Sequence, residues 1–326
     1  MKYIYWLSGN VLLALGTSVL AVALQAARKQ ERSEPAPAQP VATVRSRDGT
    51  TIAYERSGSG PALVIVASAL AARTDATRLA ALLAPHFSVI NYDRRGRGES
   101  GDTQPYAVER EIEDIDALIE AAGGSALLFG SSSGAVLALE AANRLGSKVT
   151  AAVLFEPPFL VDDTRPPVPD DFLEQTGKLL AAERPGDAVA YFMTKAVLVP
   201  EEMVEQMKRA PMWATMQERA HTLLYDGTIL AGLQAGKPLP ARRWTSVTAR
   251  TLVIDGELSE PYLRNAVQAL VDVLPGSRRL TLKGQDHSAV FTAPEALAPL
   301  LIEFLGAPRA APASNGTIRA GSEGNG

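Results

Sequence analysis

The chain contains no cysteine and only three histidines, His86, His221 and His287. Without cysteine there can be no disulfide bond, no thiolate nucleophile and no Cys-ligated metal. The histidines are too scattered along the sequence to form a clustered metal site, so we expect no metal. Any chemistry that needs an imidazole base must use one of these three residues.

The sequence also has no excess of positive charge. It contains 32 Lys and Arg residues and 36 Asp and Glu residues, for a formal net charge of −4 at pH 7. This balance gives no electrostatic basis for binding nucleic acid, and we expect no nucleic-acid partner. A hydrophobic content of 46% with 21% charged residues is typical of a globular protein with a sizeable core. The 326 residues are enough for one large domain or two small ones.

Charged residues are absent from Tyr3 to Ala27, a stretch longer than the roughly 20 residues needed to cross a bilayer. Basic residues flank it on both sides, with Lys2 before it and Arg28 after it. We therefore expect residues 1–27 to form a transmembrane anchor, with the remainder of the protein cytoplasmic. Two alternatives stay open: a cleaved signal peptide, which would export the protein, and a buried helix of the domain.

Two segments of biased composition delimit a folded region. Residues 28–40 are charged and carry Pro35, Pro37 and Pro40, which predicts an extended linker. Residues 307–326 are rich in Ala, Pro, Gly and Ser, which predicts a disordered tail. The folded domain is therefore expected at 41–306.

Within that domain, short apolar runs alternate with helical patterns after an initial hairpin centred on Arg47-Asp48-Gly49. This alternation predicts an α/β fold, with a mainly parallel sheet and helices on both faces. From about 157 to 247 the pattern becomes helical only and is broken by several prolines. We interpret this block as a helical cap inserted after one strand.

A Gly-Ser-Ser-Ser-Gly turn at Gly130–Gly134 joins the apolar run Ala126–Phe129 to an Ala- and Leu-rich helical pattern. It matches G-x-S-x-G at a strand-to-helix junction, with Ser132 in the centre. Small residues two positions before and after the serine allow a very tight turn, which exposes the hydroxyl at a helix N-terminus. Ser132 is therefore the candidate nucleophile.

Three separated motifs together resemble the α/β-hydrolase fold superfamily with a helical cap. They are the loop Tyr92–Ser100 after a strand, the turn Gly130–Gly134, and Gly284-Gln285-Asp286-His287 after the last predicted strand. The resemblance implies a serine hydrolase without a cofactor, which forms an acyl-enzyme on Ser132 and cleaves a small apolar carboxylic ester or thioester. A serine at this position, instead of an aspartate, argues against haloalkane dehalogenase and epoxide hydrolase activity.

Three other functions remain compatible with the same resemblance. The chain could act as a cofactor-free perhydrolase of the haloperoxidase type or as a C–C bond hydrolase. It could also be a catalytically degenerate hydrolase fold used for binding.

The resemblance assigns His287 as the catalytic base. The acid commonly lies three residues beyond a glycine after the next-to-last strand, but counting from Gly256 reaches Ser259, which cannot serve. Some members place the acid at the end of the preceding strand, where this chain has Glu156. Glu156 is the first choice, and three other carboxylates stay open, namely Asp255, Glu257 and Glu260.

The oxyanion hole is expected to use two backbone N–H groups, those of Ser133 and Ala69. His86 is expected to be structural, while His221, in a cap helix, could touch substrate. The arginines of the loop after Tyr92 are expected at the surface or bracing the turn. The methionines and aromatic residues of the cap either line an apolar pocket or pack among themselves; they are Met193, Met203, Met207, Met212, Met216, Trp213, Phe172, Tyr191 and Phe192.

Overall fold

The computed structural model describes residues 40–307. The segments predicted at 1–27, 28–40 and 307–326 therefore lie outside the described residues, apart from Pro40 and Ala307.

The prediction of membrane attachment must be corrected. Among residues 40–307, no helix is long and apolar enough to cross a membrane. The longest helix in that range, Val108–Ala121, has 14 residues and carries acidic residues in its first turn, whereas a span needs about 20 apolar residues. We withdraw the membrane assignment and the localisation deduced from it, both of which rested on residues 1–27.

Eight strands form one sheet in the order β1-β2-β4-β3-β5-β6-β7-β8. The first two pairings, β1 with β2 and β2 with β4, are antiparallel, and all later pairings are parallel. The central strands are completely buried, as their continuous apolar sequences require when helices cover both faces. The strands are β1 Ala42–Arg45, β2 Thr51–Ser57, β3 Ala62–Val66, β4 Ser88–Tyr92, β5 Ala126–Ser131, β6 Val149–Phe155, β7 Arg250–Gly256 and β8 Arg278–Leu282.

Helices lie between most of the parallel strands and in the long segment between β6 and β7, which we call the cap. Short 3₁₀ turns at Arg73–Ala76, Gly146–Lys148 and Ala220–Thr222 and a π turn at Phe192–Ala196 complete the regular structure. The α-helices are α1 Thr77–Leu83, α2 Val108–Ala121, α3 Ser133–Leu145, α4 Phe172–Ala181, α5 Pro185–Tyr191, α6 Glu201–Met207, α7 Met212–Glu218, α8 Leu223–Ile229, α9 Pro261–Val273, α10 Ala289–Thr292 and α11 Pro294–Gly306.

The hydrophobic core is divided by the sheet. One cluster packs α2, α3 and α9 against one face, and a second packs α1 and α11 against the other. A third, smaller cluster holds the cap helices together and includes Leu70 from the loop after β3. The predicted α/β fold with helices on both faces and helices inserted beyond the core is confirmed, while the predicted cap bounds of about 157–247 stay a prediction.

Candidate active site

Ser132 occupies a strained turn between β5 and α3. Its φ of 53° and ψ of −126° lie in a region that non-glycine residues rarely adopt. A Cβ on Gly130 would come closer than 3.0 Å to the backbone of Gly134, and one on Gly134 closer than 3.0 Å to the carbonyl oxygen of Val66. The two glycines are therefore required by the close approach of the backbone on either side of Ser132.

His287 lies in the loop between β8 and α10, and its Nδ1 is 2.7 Å from Oε2 of Glu156. The Glu156 side chain is fully buried, whereas the imidazole is 41% exposed. The other carboxylate oxygen, Oε1, accepts a hydrogen bond of 2.6 Å from the N–H of Gly256. Two partners thus fix the carboxylate, and one of them is the predicted base.

The other three candidate acids do not contact His287. Asp255 is buried, but its carboxylate accepts hydrogen bonds from Arg279 at 2.7 Å and Thr281 at 3.0 Å. Glu257 accepts the N–H of Gly284, and Glu260 is exposed at the start of α9. Among these four carboxylates, only that of Glu156 contacts His287.

A cavity of about 220 Å³ lies where the ends of the central strands face the cap, and both Ser132 and His287 line it. Within residues 40–307 no hydrogen bond joins the two side chains. Bonds of this kind are often long without a substrate and tighten when it binds. Ala69 and Ser133, the two predicted oxyanion donors, line the same cavity.

Backbone strain occurs in and beside this cavity: Ser132 lines it, Leu70 follows the cavity-lining Ala69, and Glu156 contacts the cavity-lining His287. Five non-glycine residues of the described range have positive φ, and three of them are Leu70, Ser132 and Glu156. They belong to the loop after β3, the nucleophile turn and the end of β6. Strained residues that cluster in this way are typical of active sites, where the surrounding structure holds them in place.

Comparison with known proteins agrees with the fold described above. A family model described as "Alpha/beta hydrolase family" matches residues 35–300. The chain belongs to the alpha/beta hydrolase family. It is therefore an enzyme of the hydrolase class.

Three individual proteins are similar to this hydrolase. A crystal structure of an alpha/beta hydrolase from Sphaerobacter thermophilus DSM 20745 is 53% identical, with a TM-score of 0.75 over 81% of this chain and 100% of that one. The "Uncharacterized hydrolase YraK" of Bacillus subtilis (strain 168) is 33% identical over 113 residues; the match spans 33% of this chain and 42% of that protein's length. A thermophilic esterase from Thermogutta terrifontis shares the fold at 21% identity, with a TM-score of 0.60 over 82% of this chain and 98% of that one.

The loop after β4 differs in part from expectation. Arg94, Arg95 and Arg97 brace the turn as predicted, but all three are fully buried and none lies at the surface. Each guanidinium contacts carboxylates from other parts of the chain: Arg94 pairs with Glu111 and Asp226, Arg95 with Asp48 and Asp114, and Arg97 with Asp226.

Asp226, in α8 of the cap, is a cavity-lining residue that the sequence analysis missed. It is buried and lines the cavity. Burial alone would raise its pKa, but the charges of Arg94 and Arg97 outweigh burial and hold the pKa below its usual value. Its sequence neighbours gave no signal, because a single aspartate in a helical pattern usually faces solvent.

The other predicted cap residues differ in whether they line the cavity or pack within the cap, and two of them do both. Phe172, Phe192 and Met193 line the cavity. Trp213 and Met216 belong to the cap cluster, and Phe192, Met193 and Met207 pack against it. Met203 is buried, and Met212 is 46% exposed. His221 does not line the cavity and lies 3.7 Å from Asp102, while His86 is exposed before β4.

Proposed function

We propose that this hydrolase cleaves carboxylic esters or thioesters with a short, uncharged, apolar acyl group, through an acyl-enzyme formed on Ser132. The observation that carries this proposal is the 2.7 Å contact between Glu156 and His287 in the cavity that Ser132 lines. The serine, the carboxylate and the histidine follow one another along the chain in the order known for this fold, here Ser132, Glu156 and His287. The contact also weighs against a degenerate fold used only for binding, whose main support was the missing acid at Ser259.

In the proposed reaction, Nε2 of His287 takes the proton from Oγ of Ser132 as the oxygen attacks the acyl carbon. Nδ1–H donates to Glu156, which stays ionised and stabilises the imidazolium that forms. The imidazolium then protonates the leaving alcohol or thiol. A water molecule, deprotonated by the same histidine, releases the acid and restores Ser132.

The negative charge that develops on the acyl oxygen is assigned to the N–H groups of Ser133 and Ala69. Ser133 is the first residue of α3, so its N–H has no partner within the helix. The positive end of the helix dipole favours an anion at the same place. Donors fixed before the reaction are the largest single contribution to catalysis of acyl transfer in well-studied cases.

The cavity lining supports an uncharged acyl group. Most of its side chains are apolar, and no lysine or arginine is among the described residues that line it. Asp226 is already neutralised by its two arginines. The volume of about 220 Å³ is small beside the roughly 300–1,000 Å³ of common ligand pockets, which favours short acyl groups.

Labelling with a fluorophosphonate probe tests the proposal without knowledge of the natural substrate. We expect the wild-type protein to be labelled on one serine, and Ser132→Ala to fold normally and remain unlabelled. Rates on p-nitrophenyl esters should be highest for acyl chains of about two to six carbons, a range estimated from the small cavity. Absence of labelling in the folded wild-type protein would contradict the proposal.

A further inference from the structure

The buried carboxylate of Asp226, in the cap, accepts hydrogen bonds from the residue after the nucleophile and from two arginines of the loop after β4. Oδ1 of Asp226 accepts hydrogen bonds from Oγ of Ser133 and from Nη1 of Arg94, each at 2.8 Å. Oδ2 accepts a hydrogen bond of 2.6 Å from Nη2 of Arg97. A residue between β6 and β7 is thereby tied to the residue after Ser132 and to the loop after β4.

The same two arginines hold the loop after β3 by its carbonyl groups. Nη1 of Arg94 donates to the carbonyl oxygen of Ala67 at 3.1 Å. Nη1 of Arg97 donates to those of Ser68 at 2.5 Å and Ala71 at 3.0 Å. Two guanidinium groups therefore orient three peptide units of the loop that contains Ala69.

The contact to Ser68 determines where the N–H of Ala69 points. The carbonyl of Ser68 and the N–H of Ala69 belong to one planar trans peptide, so they point in opposite directions. Arg97 is fully buried, whereas Ala69 lines the cavity. Holding the carbonyl toward Arg97 therefore directs the N–H of Ala69 away from the arginine.

The cap secures this loop in two further ways. The side chain of Leu70 packs in the cap cluster. Its backbone adopts a φ of 58°, in a turn that is closed by a 3.2 Å hydrogen bond from the N–H of Ala71 to the carbonyl oxygen of Ser68. Arg219, at the end of α7, donates to the carbonyl oxygen of Leu70 at 2.9 Å. A strained turn of this kind persists only while its surroundings hold it.

We propose that Asp226 is a positioning residue that fixes both N–H donors of the oxyanion hole, so that the cap controls the chemical step as well as enclosing the substrate. One carboxylate oxygen anchors Ser133, and the other anchors Arg97, which in turn sets the peptide of Ala69. The inference rests on the proposed function, since it concerns the stabilisation of an acyl oxyanion. Because buried ion pairs contribute little net stability, the main effect of this network is expected on the orientation of the two N–H donors, which kcat reports.

The experiment compares kcat and KM for p-nitrophenyl butyrate and inhibition by a trifluoromethyl ketone, which forms a tetrahedral oxyanion on the nucleophile. Loss of a whole oxyanion donor costs about 10²–10³ in kcat, so Asp226→Asn should lower kcat by roughly 10–100-fold with KM almost unchanged. The inhibition constant of the ketone should rise by a similar factor. A purely structural role would loosen the cap and act on KM instead.

Two milder variants keep the experiment decisive if Asp226→Asn does not fold. Ser133→Ala removes only the hydroxyl that Asp226 anchors and leaves every buried charge in place. Arg97→Lys keeps its charge beside Asp226 but cannot hold two carbonyl groups with one planar guanidinium. Each should lower kcat by roughly tenfold at unchanged KM.

Asp114→Asn is the matched control, because Asp114 is a buried carboxylate that binds Arg95 of the same loop at 2.7 and 2.8 Å but contacts neither Ser133 nor residues 67–71. It should lower the melting temperature and leave kcat within about twofold. Unchanged kcat in Ser133→Ala and Arg97→Lys, or a loss carried entirely by KM, would overturn the inference. That result, with Ser132→Ala inactive, would leave the proposed function standing, whereas an active Ser132→Ala would overturn the function itself.

Discussion

The Cα of Gly134 lies so close to Val66 that a methyl group on it would come within 3.0 Å of the Val66 carbonyl oxygen. The first turn of α3 is therefore pressed against the end of β3, next to the loop that contains Ala69. The nucleophile turn and the oxyanion loop form one packed unit, and a small change at their contact should affect both stability and activity.

Gly134→Ala tests this contact. Because the methyl group meets backbone that cannot easily move, we expect destabilisation of about 2 kcal/mol or more, together with a loss of esterase activity. Chemical denaturation followed by circular dichroism measures the first effect, and hydrolysis of p-nitrophenyl butyrate the second.

Gly177→Ala provides the matched control for that substitution. Gly177 lies within α4, and a Cβ there would meet nothing within 4 Å. Alanine in a helix interior is favoured over glycine by about 0.5–1 kcal/mol, so this variant should be more stable and equally active. Equal stability losses in the two variants would contradict the packing that the structure describes.

Ser132 and His287 should behave as one catalytic unit. We expect Ser132→Ala and His287→Ala each to remove nearly all ester hydrolysis, and the double variant to be hardly slower than either single one. Without His287 the proton of Ser132 has no acceptor, and without Ser132 the histidine has no nucleophile to activate. Steady-state rates of the three variants measure this, and losses that multiply would refute the assignment.

The acid stability of the protein should depend on Asp48. Burial raises its pKa, but hydrogen bonds from Arg95 and Thr50 outweigh burial and lower the pKa to about 2. A carboxyl group whose pKa is lower in the folded protein stabilises it fully above the pKa of the unfolded chain, about 4, and loses this contribution as the pH falls toward 2. Wild-type stability should therefore decline between pH 4 and 2.

Asp48→Asn should be less stable than wild type at pH 7 by about 1–2 kcal/mol, with the difference shrinking below pH 4. Urea denaturation across this pH range measures both effects. Asp116→Asn, which removes a half-exposed partner of Lys148, should change stability by less than about 1 kcal/mol and serves as the control. A difference between wild type and Asp48→Asn that does not vary with pH would contradict the role of Asp48.

The fold could be predicted from the sequence because its central strands are short, mostly apolar runs that alternate with helical patterns. The apolar run Ala126–Phe129, for example, predicts a strand before the nucleophile turn, and the buried strand β5 covers Ala126–Ser131. Ser132 and His287 could be proposed because each lies in a short local motif, and the scarcity of histidine left few alternatives.

The buried ion network could not be predicted in the same way. Arg94 meets Glu111 17 positions away and Asp226 132 positions away, and only the folded chain brings these charges together. An arginine-rich loop without known partners resembles a solvated surface. The cap residues pose a similar problem, because Met193 lines the cavity and Met216 does not, although the two side chains are chemically identical.

The most direct test of the account is the turnover of Glu156→Gln beside that of Asp255→Asn. Glutamine can still accept a hydrogen bond from His287 but cannot stabilise an imidazolium by charge. We therefore expect a folded protein whose kcat falls by several orders of magnitude, about 10⁴-fold in the best-studied analogous case. Asp255→Asn should lose stability, because Arg279 loses its charged partner, and should keep its kcat. If Asp255→Asn were the inactive variant while Glu156→Gln kept its activity, the assignment of Glu156 as the acid would be wrong.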